Sequence, residues 1–247
     1  MVVDYEHTAG VAQIHLNRPD RLNAVTPALV EDLLAALGRA AHEAAVVVLA
    51  GRGRSFCAGW DLKEPPLVET VRQTRLRLER LQDVTRQIRT FPGIVIAAVH
   101  GYALGAGCEF ALGCDLVVAD ADARFGFPEV GVGLSVTGGV SSLLPKIVGL
   151  ARAKEMLLLG EKIPAARAAE LGLVNRVAPA GTHEDVALEL ATRIAAQPPT
   201  ATSLAKRVLD LGVDATLEEA LATEVDHSLL TSVSGEGDVP QEAFRHG

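Results

Sequence analysis

Two uninterrupted apolar runs, at residues 46–50 and Ile94–Val99, most constrain the fold of this chain. Both are rich in β-branched residues, which is typical of strands that are buried on both faces of a parallel sheet. Between them, residues 67–90 repeat apolar side chains at helical spacing. Earlier, Thr26 and Pro27 provide an N-cap oxygen and a first-turn proline for another helix. This alternation predicts an α/β fold with a largely parallel sheet and helices outside it.

The chain becomes mainly helical after about residue 138. Further strands are predicted at Val11–Leu16, 116–119 and 173–177, and further helices at 105–113, 151–159, 164–171 and 182–197. The segment TLEE at residues 216–219 is a capping-box signature that opens a last helix. We predict one structural domain, with a core at residues 1–197 and a C-terminal helical region at 198–247. The polar stretch from residue 232 onward is expected to be loosely ordered.

The composition argues against several classes of partner. The chain has 23 basic and 31 acidic residues and a formal net charge of −8, which disfavours binding to nucleic acid phosphates. No apolar run approaches the ~20 residues that span a bilayer, and the N-terminus has no signal-peptide pattern. Cys57, Cys108 and Cys114 lack zinc-site spacing and are interpreted as small buried residues of a reducing compartment. We therefore expect a soluble, cytoplasmic protein that binds neither nucleic acid nor membrane.

Two glutamates are the candidate chemical groups. Glu109 ends the glycine-rich segment HGYALGAGCE, and Glu129 ends the compact segment FGFPE. Gly105 and Gly107 allow a ligand to approach the start of a helix, whose first N–H groups have no internal partners. Such N–H groups stabilise a developing negative oxygen. Two carboxylates beside them suit general acid–base chemistry next to an oxyanion hole.

Each feature has a plainer interpretation when it is taken alone. Gly105 and Gly107 also resemble the start of a dinucleotide-binding GxGxxG loop, although Phe110 occupies the third glycine position. One glutamate in isolation would be an exposed helix residue, and the other a loop carboxylate. The turn SFCAGWD at residues 55–61 follows a predicted strand and could be an ordinary connection.

Taken in order along the chain, these segments resemble the enoyl-CoA hydratase/isomerase, or crotonase, superfamily. The resemblance covers about residues 3–232 and includes LNRPDRLNA (16–24), SFCAGWDLKE (55–64), AVHGYALGAGCE (98–109), CD (114–115), FGFPE (125–129) and residues 166–175. It implies a spiral of ββα repeats with a helical C-terminal region that trimerises, and hence a homotrimer or a dimer of trimers. It also implies an acyl-CoA substrate, with coenzyme A only as part of that substrate and no metal or redox cofactor. The most similar members are 2-enoyl-CoA hydratases, which act in fatty-acid or related acyl-CoA catabolism.

The resemblance also assigns roles to individual residues. In hydratases two glutamates hold and activate the attacking water, and they map onto Glu109 as base and Glu129 as acid; the residues alone support the reverse assignment equally. The backbone N–H donors of the oxyanion hole map onto Trp60 and Ala106. The residues implied in substrate and coenzyme A binding are Arg21 and Leu22 near the nucleotide, Ala58, Asp61 and Leu62 along the pantetheine, and Gly105 and Leu134 at the acyl site.

Three positions depart from the family pattern. Ala106 replaces a common glycine, Trp60 places a bulky side chain at the first donor, and LSVTGG at residues 134–139 replaces the Pro-Gly-x-Gly-Gly of many short-chain hydratases. The C-terminal tail lacks the basic run of many relatives. Both glutamates favour hydration, but two alternatives stay open: another acyl-CoA reaction of the superfamily, such as isomerisation, hydrolysis or lyase cleavage, and a non-catalytic binding protein on the same scaffold, as in relatives that bind RNA.

Overall fold

The computed structural model describes residues 1–65 and 68–237 of the chain. Within these ranges the strands are β1 (Val3–Thr8), β2 (Val11–Leu16), β3 (Val46–Gly51), β4 (Ile94–Val99), β5 (Tyr102–Leu104), β6 (Leu116–Asp120), β7 (Arg124–Gly126), β8 (Ile163–Pro164) and β9 (Arg176–Ala178). The α-helices are α1 (Pro27–Glu43), α2 (Val71–Arg89), α3 (Ala106–Gly113), α4 (Val140–Val148), α5 (Leu150–Leu159), α6 (Ala165–Glu170), α7 (His183–Ala195), α8 (Pro199–Gly212) and α9 (Leu217–Ser234).

Six strands form the main sheet in the order β1-β2-β3-β4-β6-β9. The edge pair β1–β2 is antiparallel, and the other neighbouring pairs are parallel. The two apolar runs of the sequence are β3 and β4, which lie side by side with Val48 opposite Ile96. The prediction of a largely parallel α/β sheet is therefore confirmed.

Both faces of the main sheet are covered by apolar side chains. Along β3, Val47 and Leu49 belong to the large core that also contains the buried face of α1. Val46 and Val48 point the other way, into a second core that is closed by α7. Because side chains alternate along a strand, burial on both faces explains why this run has no polar residue.

A second sheet of three short strands, β5-β7-β8, places the functional segments. β5 follows β4 and β7 follows β6, and the two short strands pair in parallel with Leu104 opposite Gly126. The chain therefore leaves both strands side by side, toward Glu109 in one case and Glu129 in the other. These strands were not predicted from the sequence, because two or three residues are too few to show an alternating pattern.

The predicted strand at 173–177 is wrong over most of its length, because β9 begins only at Arg176. The preceding residues serve as the exit from α6. The Asn175 N–H donates to Val117 O (2.9 Å), and the Asn175 side-chain oxygen accepts from Val117 N–H (2.7 Å). The Asn175 side chain thus accepts a hydrogen bond that a backbone carbonyl oxygen would accept in a regular strand pair.

The capping box that opens α9 is confirmed. The Glu219 N–H donates to the Thr216 hydroxyl oxygen (3.3 Å), and the Thr216 N–H donates to the Glu219 carboxylate (2.8 Å). The helix is longer than expected: it runs to Ser234 rather than giving way to loose chain at 232, and Gly235 ends it with φ +72°. The rest of the predicted tail, from residue 238, lies outside the described residues.

Candidate active site

The compact turn at residues 55–61 is held by backbone hydrogen bonds on two sides. Cys57 joins it to β5 through one donated and one accepted bond (2.9 and 3.0 Å). On the other side, the backbone of Val25 bonds to the two residues that flank Trp60 (2.7 and 3.0 Å). The Trp60 N–H lies between these bonds, and it donates to no acceptor in the part of the chain that the structure describes.

The start of α3 packs directly against this turn. Gly105 precedes the helix with φ +52° and donates its N–H to Gly126 O (2.9 Å). A Cβ atom at Gly107 would lie 2.3 Å from Cys57 O, so the glycine is what permits this close approach. Ala106 is the first residue of the helix, and its N–H donates to no acceptor among the described residues.

A cavity of about 380 Å³ is lined by residues that include Trp60 and Ala106. The predicted site residues that line it are Ala58, Trp60, Leu62, Gly105, Ala106, Glu109, Glu129 and Leu134. Its other lining residues are Gly59, Thr74, Arg77, Leu78, Leu81, Pro128, Val132, Ser135 and Thr137. Both glutamates therefore share one largely apolar cavity with both N–H donors.

Glu109 lies in the first turn of α3 and is only 1% exposed. Its Oε1 accepts the Thr137 N–H, and its Oε2 accepts the Thr137 hydroxyl, each at 2.6 Å. A Cβ atom at Gly138, where φ is +56°, would lie 2.6 Å from the Glu109 Cβ. Only a glycine at 138 lets the segment that carries Thr137 come this close to the carboxylate.

Glu129 begins a 3₁₀ turn, Glu129–Val132, and is 8% exposed. Its Oε1 lies 2.9 Å from the position that a Cβ atom would occupy at Gly105, so the absence of a side chain there leaves room for the carboxyl group. Its Oε2 is buried and has no hydrogen-bond partner among the described residues. A buried carboxyl oxygen without a donor favours the neutral acid or a contact with a bound molecule.

The two carboxyl groups differ in their electrostatic surroundings. Burial raises the pKa of Glu109, while the two hydrogen bonds from Thr137 lower that pKa. Burial also raises the pKa of Glu129, its own backbone N–H lowers it, and the negative charge of Glu109 raises it further. Because the negative charge of Glu109 acts on Glu129, the carboxylate that accepts more hydrogen bonds keeps the charge. The arrangement favours an ionised Glu109 beside a protonated Glu129, one base and one acid.

A sequence model of the enoyl-CoA hydratase/isomerase family matches residues 6–239. The chain belongs to this family. It is 34% identical to the short-chain-enoyl-CoA hydratase of Clostridium acetobutylicum over 222 residues, which are 89% of this chain and 85% of the relative. It is 40% identical to the 2,3-dehydroadipyl-CoA hydratase of Escherichia coli over 219 residues, which are 87% and 84%.

The fold agrees with the family. The crystal structure of an enoyl-CoA hydratase from Bacillus anthracis matches with a TM-score of 0.94 at 32% sequence identity, over 100% of this chain and 96% of that one. The predicted crotonase-type α/β fold with C-terminal helices is therefore confirmed.

Three residues that were predicted to bind coenzyme A are not part of the cavity lining. Arg21 is exposed at the end of a 3₁₀ turn, and Leu22 follows it and accepts the Ala58 N–H through its carbonyl oxygen (3.0 Å). Asp61 is buried and forms an ion pair with Arg18 (3.0 Å). Their contact with coenzyme A stays a prediction.

Two contributions to the cavity escaped the sequence analysis. The guanidinium carbon of Arg77 lies 4.8 Å from the centre of the Trp60 ring, and Arg77 Nε donates to both carboxylate oxygens of Glu69 (3.0 Å each). Nothing in the spacing of the α2 arginines distinguishes Arg77 from its neighbours. Thr137 did carry a signal, since it stands directly before a glycine pair at the start of a helix.

The remaining predictions concern metals, membranes and thiols. Across residues 1–65 and 68–237, no group of three or more His, Cys, Asp or Glu side chains could hold a metal ion. No helix in the same ranges is long and apolar enough to cross a membrane. Cys57, Cys108 and Cys114 are free and buried, as predicted, and burial raises the pKa of the Cys57 thiol to about 12.

Proposed function

We propose that the protein is a 2-enoyl-CoA hydratase, which adds water across the 2,3-double bond of an acyl-CoA thioester. The observation that carries this proposal is that two buried glutamates, Glu109 and Glu129, line the same cavity as Trp60 and Ala106, whose N–H groups have no acceptor among the described residues. The names of the relatives from C. acetobutylicum and E. coli, both hydratases, support the same reaction.

The two N–H groups are proposed to hold the thioester carbonyl oxygen. Attack at C3 pushes electrons through the conjugated system onto this oxygen, so its negative charge grows in the transition state. Each donor of an oxyanion hole contributes about 3 kcal/mol, mainly at that stage. Ala106 keeps this ability because the donor is its backbone, and the methyl group of its side chain is not involved.

The two glutamates are proposed to divide the proton transfers. Glu109 takes one proton from water while the water oxygen bonds to C3, and Glu129 gives its proton to C2. Passage of a proton from Glu109 to Glu129 then restores the starting state, so the net change is the addition of one water. Such acid–base assistance accelerates a reaction by about 10²–10⁴-fold. No metal or redox cofactor is required.

The cavity walls support an apolar acyl group. Leu78 and Leu81 of α2 and Leu134 all contribute to the lining of the cavity. Among the lining residues, Arg77 could recognise a carboxylate at the far end of the acyl group. Its guanidinium group, however, already forms an ion pair with Glu69 (3.0 Å). We therefore propose that the substrate is a 2-enoyl-CoA whose acyl chain carries no second carboxylate. Arg21, Leu22 and Asp61 are proposed to contact the coenzyme A portion outside the cavity.

The C-terminal region, residues 198–247, is proposed to assemble the core at 1–197 into a homotrimer or a dimer of trimers. This is supported by α9, which has no buried residue in the single chain. Its exposed apolar side chains are Leu217, Leu221, Val225, Leu229, Leu230 and Val233. A cytoplasmic location is proposed on the basis of the three free thiols.

A substrate panel tests the reaction. Purified protein is mixed with 2-enoyl-CoA thioesters that start at the four-carbon crotonyl chain, and the absorbance of the conjugated thioester is followed. We expect its loss, with a product heavier by one water in mass spectrometry. A 3-enoyl-CoA in the same panel tests isomerisation. Turnover of the 3-enoyl substrate with no water addition to any 2-enoyl substrate would refute the hydratase assignment.

A further inference from the structure

Thr137 contacts Glu109 at both carboxylate oxygens, and the two contacts differ in kind. The N–H of Thr137 lies 2.6 Å from Oε1, and its hydroxyl lies 2.6 Å from Oε2. Almost any residue would provide the N–H, but the second contact depends on a hydroxyl side chain at position 137. It is therefore a property of this sequence and not of the backbone fold.

Both contacts favour the ionised form of Glu109. An N–H can only donate, and an ionised carboxylate can only accept, so the hydroxyl completes the pattern by donating to Oε2. A separation of 2.6 Å is typical of an O–H···O⁻ hydrogen bond, which is stronger than a bond between neutral groups. Glu129 has no such arrangement, since its Oε2 has no donor among the described residues.

The position of the hydroxyl is fixed from both sides. Gly138 packs against the Glu109 side chain, as the 2.6 Å approach of a hypothetical Cβ atom indicates. The Thr137 carbonyl oxygen accepts the Val140 N–H (3.0 Å) at the start of α4. With one lone pair of each oxygen occupied by Thr137, the Glu109 carboxylate cannot rotate freely and still has lone pairs that can accept a proton from water.

We propose that the Thr137 hydroxyl is a positioning residue for hydration, which holds Glu109 as an oriented carboxylate and so makes it, rather than Glu129, the base. This inference rests on the hydratase function proposed above. The Thr137 hydroxyl would then account for the assignment of acid and base that the sequence leaves open.

The test compares Thr137→Val, which keeps the shape and the N–H, with Thr137→Ser, which restores the hydroxyl. For Thr137→Val we expect kcat with crotonyl-CoA to fall about 10- to 100-fold and KM to change by less than about threefold, since a hydrogen bond to a charged group is lost. The acid limb of its pH–rate profile should move to higher pH, because Glu109 loses a donor that stabilises its charge. Thr137→Ser should stay within about threefold of the wild type.

Controls separate this effect from misfolding. Thr192→Val removes an exposed hydroxyl on α7 that bonds to Leu188 O, and it should leave kcat and the pH profile unchanged. Circular dichroism checks that each variant is folded. Wild-type kcat and pH profile in Thr137→Val would overturn the proposal, and so would a Thr137→Ser variant as slow as Thr137→Val.

A second readout needs no turnover. In protein labelled with ¹³C at the glutamate carboxyl carbon, NMR titration follows Glu109, whose signal is assigned by its loss in Glu109→Gln. We expect Glu109 to titrate at higher pH in Thr137→Val than in the wild type, and an unchanged titration would overturn the proposal. If the wild type hydrates no 2-enoyl-CoA while the titration shifts, the proposed function fails and the positioning of Glu109 stands.

Discussion

Two carboxyl sites in this molecule, the largely buried Asp115 and the buried pair Glu109 and Glu129, differ in how their charge is balanced. Asp115 lies 2.9 Å from the ammonium group of Lys206 and accepts the Val95 N–H (2.7 Å). Glu109 and Glu129 form no ion pair with a Lys, Arg or His within residues 1–65 and 68–237. Burial raises the pKa of all three groups, but at Asp115 the Lys206 charge acts against it.

The Lys206 ammonium group is itself well bonded. It donates to the carbonyl oxygens of Ile88, Phe91 and Gly93 (3.2, 3.2 and 3.3 Å), and so ties α8 to the end of α2 and the start of β4. A largely buried carboxylate that is paired with a well-bonded ammonium group joins the segments that carry the two charges. A buried carboxyl pair without a cation favours one neutral and one ionised member, and hydration requires one acid and one base. We therefore expect the Asp115–Lys206 pair to contribute to stability and the Glu109–Glu129 pair to carry the chemistry.

The largest effect is expected at the pair of carboxyl groups that is proposed to transfer protons. Glu109→Gln and Glu129→Gln should each lower kcat for crotonyl-CoA by about 10²–10⁴-fold, because each removes one proton-transfer group. Their unfolding free energy at neutral pH should equal or exceed that of the wild type, since no buried charge loses a partner. Glu170→Gln, which changes an exposed carboxylate on α6, is the matched control. Full activity in either glutamine variant would show that the replaced glutamate transfers no proton.

The next largest effect is expected at the ion pair of Asp115 and Lys206. Lys206→Met should lower the unfolding free energy by about 3–5 kcal/mol, because it leaves the largely buried Asp115 carboxylate without its cation. The kcat of the folded protein should stay near that of the wild type. Urea denaturation measures the loss, with the exposed Lys154→Met as control.

A double variant sharpens this result. Asp115→Asn combined with Lys206→Met should be more stable than Lys206→Met alone, because the unpaired charge is gone. A Lys206→Met variant that unfolds like the wild type would show that the ion pair does not balance Asp115.

The pH dependence of stability gives a smaller effect with a defined sign. Because burial raises the pKa of Glu109 and Glu129 above the ordinary glutamate value of about 4.3, the folded state holds their protons more tightly than the unfolded state does. The stability that results is complete below the ordinary pKa and is lost as the pH rises through the folded-state pKa values.

The Glu109→Gln/Glu129→Gln double variant cannot undergo this loss. Its unfolding free energy relative to the wild type should therefore increase as the pH rises from about 4 toward neutral. Asp115, whose pKa is also raised by burial, is present in both proteins, so its contribution cancels. Urea denaturation at a series of pH values measures the difference, and a difference that does not vary with pH would contradict the raised pKa values.

The sequence predicted what is encoded locally. The apolar runs of β3 and β4 indicate their burial directly. The glycine-rich segment before Glu109 indicates that a helix starts there and that another part of the molecule can approach its backbone closely. The pairing of Lys206 with Asp115, and of Thr137 with Glu109, could not be predicted in this way, since each joins segments far apart in the chain. The placement of Glu129 depends on the three-residue strand β7, which is too short to leave a pattern.

The smallest expected effect concerns a charge at the edge of the cavity. Arg77, partly exposed, is bonded to Glu69 and stacks on Trp60. Arg77→Met should lower the unfolding free energy by less than about 1 kcal/mol, since exposed ion pairs and cation–π contacts are individually weak.

Activity shows whether Arg77 belongs to the chemistry. We expect KM for crotonyl-CoA to rise by about two- to fivefold at unchanged kcat, because the support of the Trp60 ring weakens while the proton-transfer groups stay in place. Arg75→Met, which removes a similar ion pair on the outer face of α2, should change neither KM nor kcat. If kcat for Arg77→Met instead fell as far as in Glu109→Gln, a cation would be acting on the carboxyl pair. The division between a balanced structural site and an unbalanced chemical one would then no longer hold.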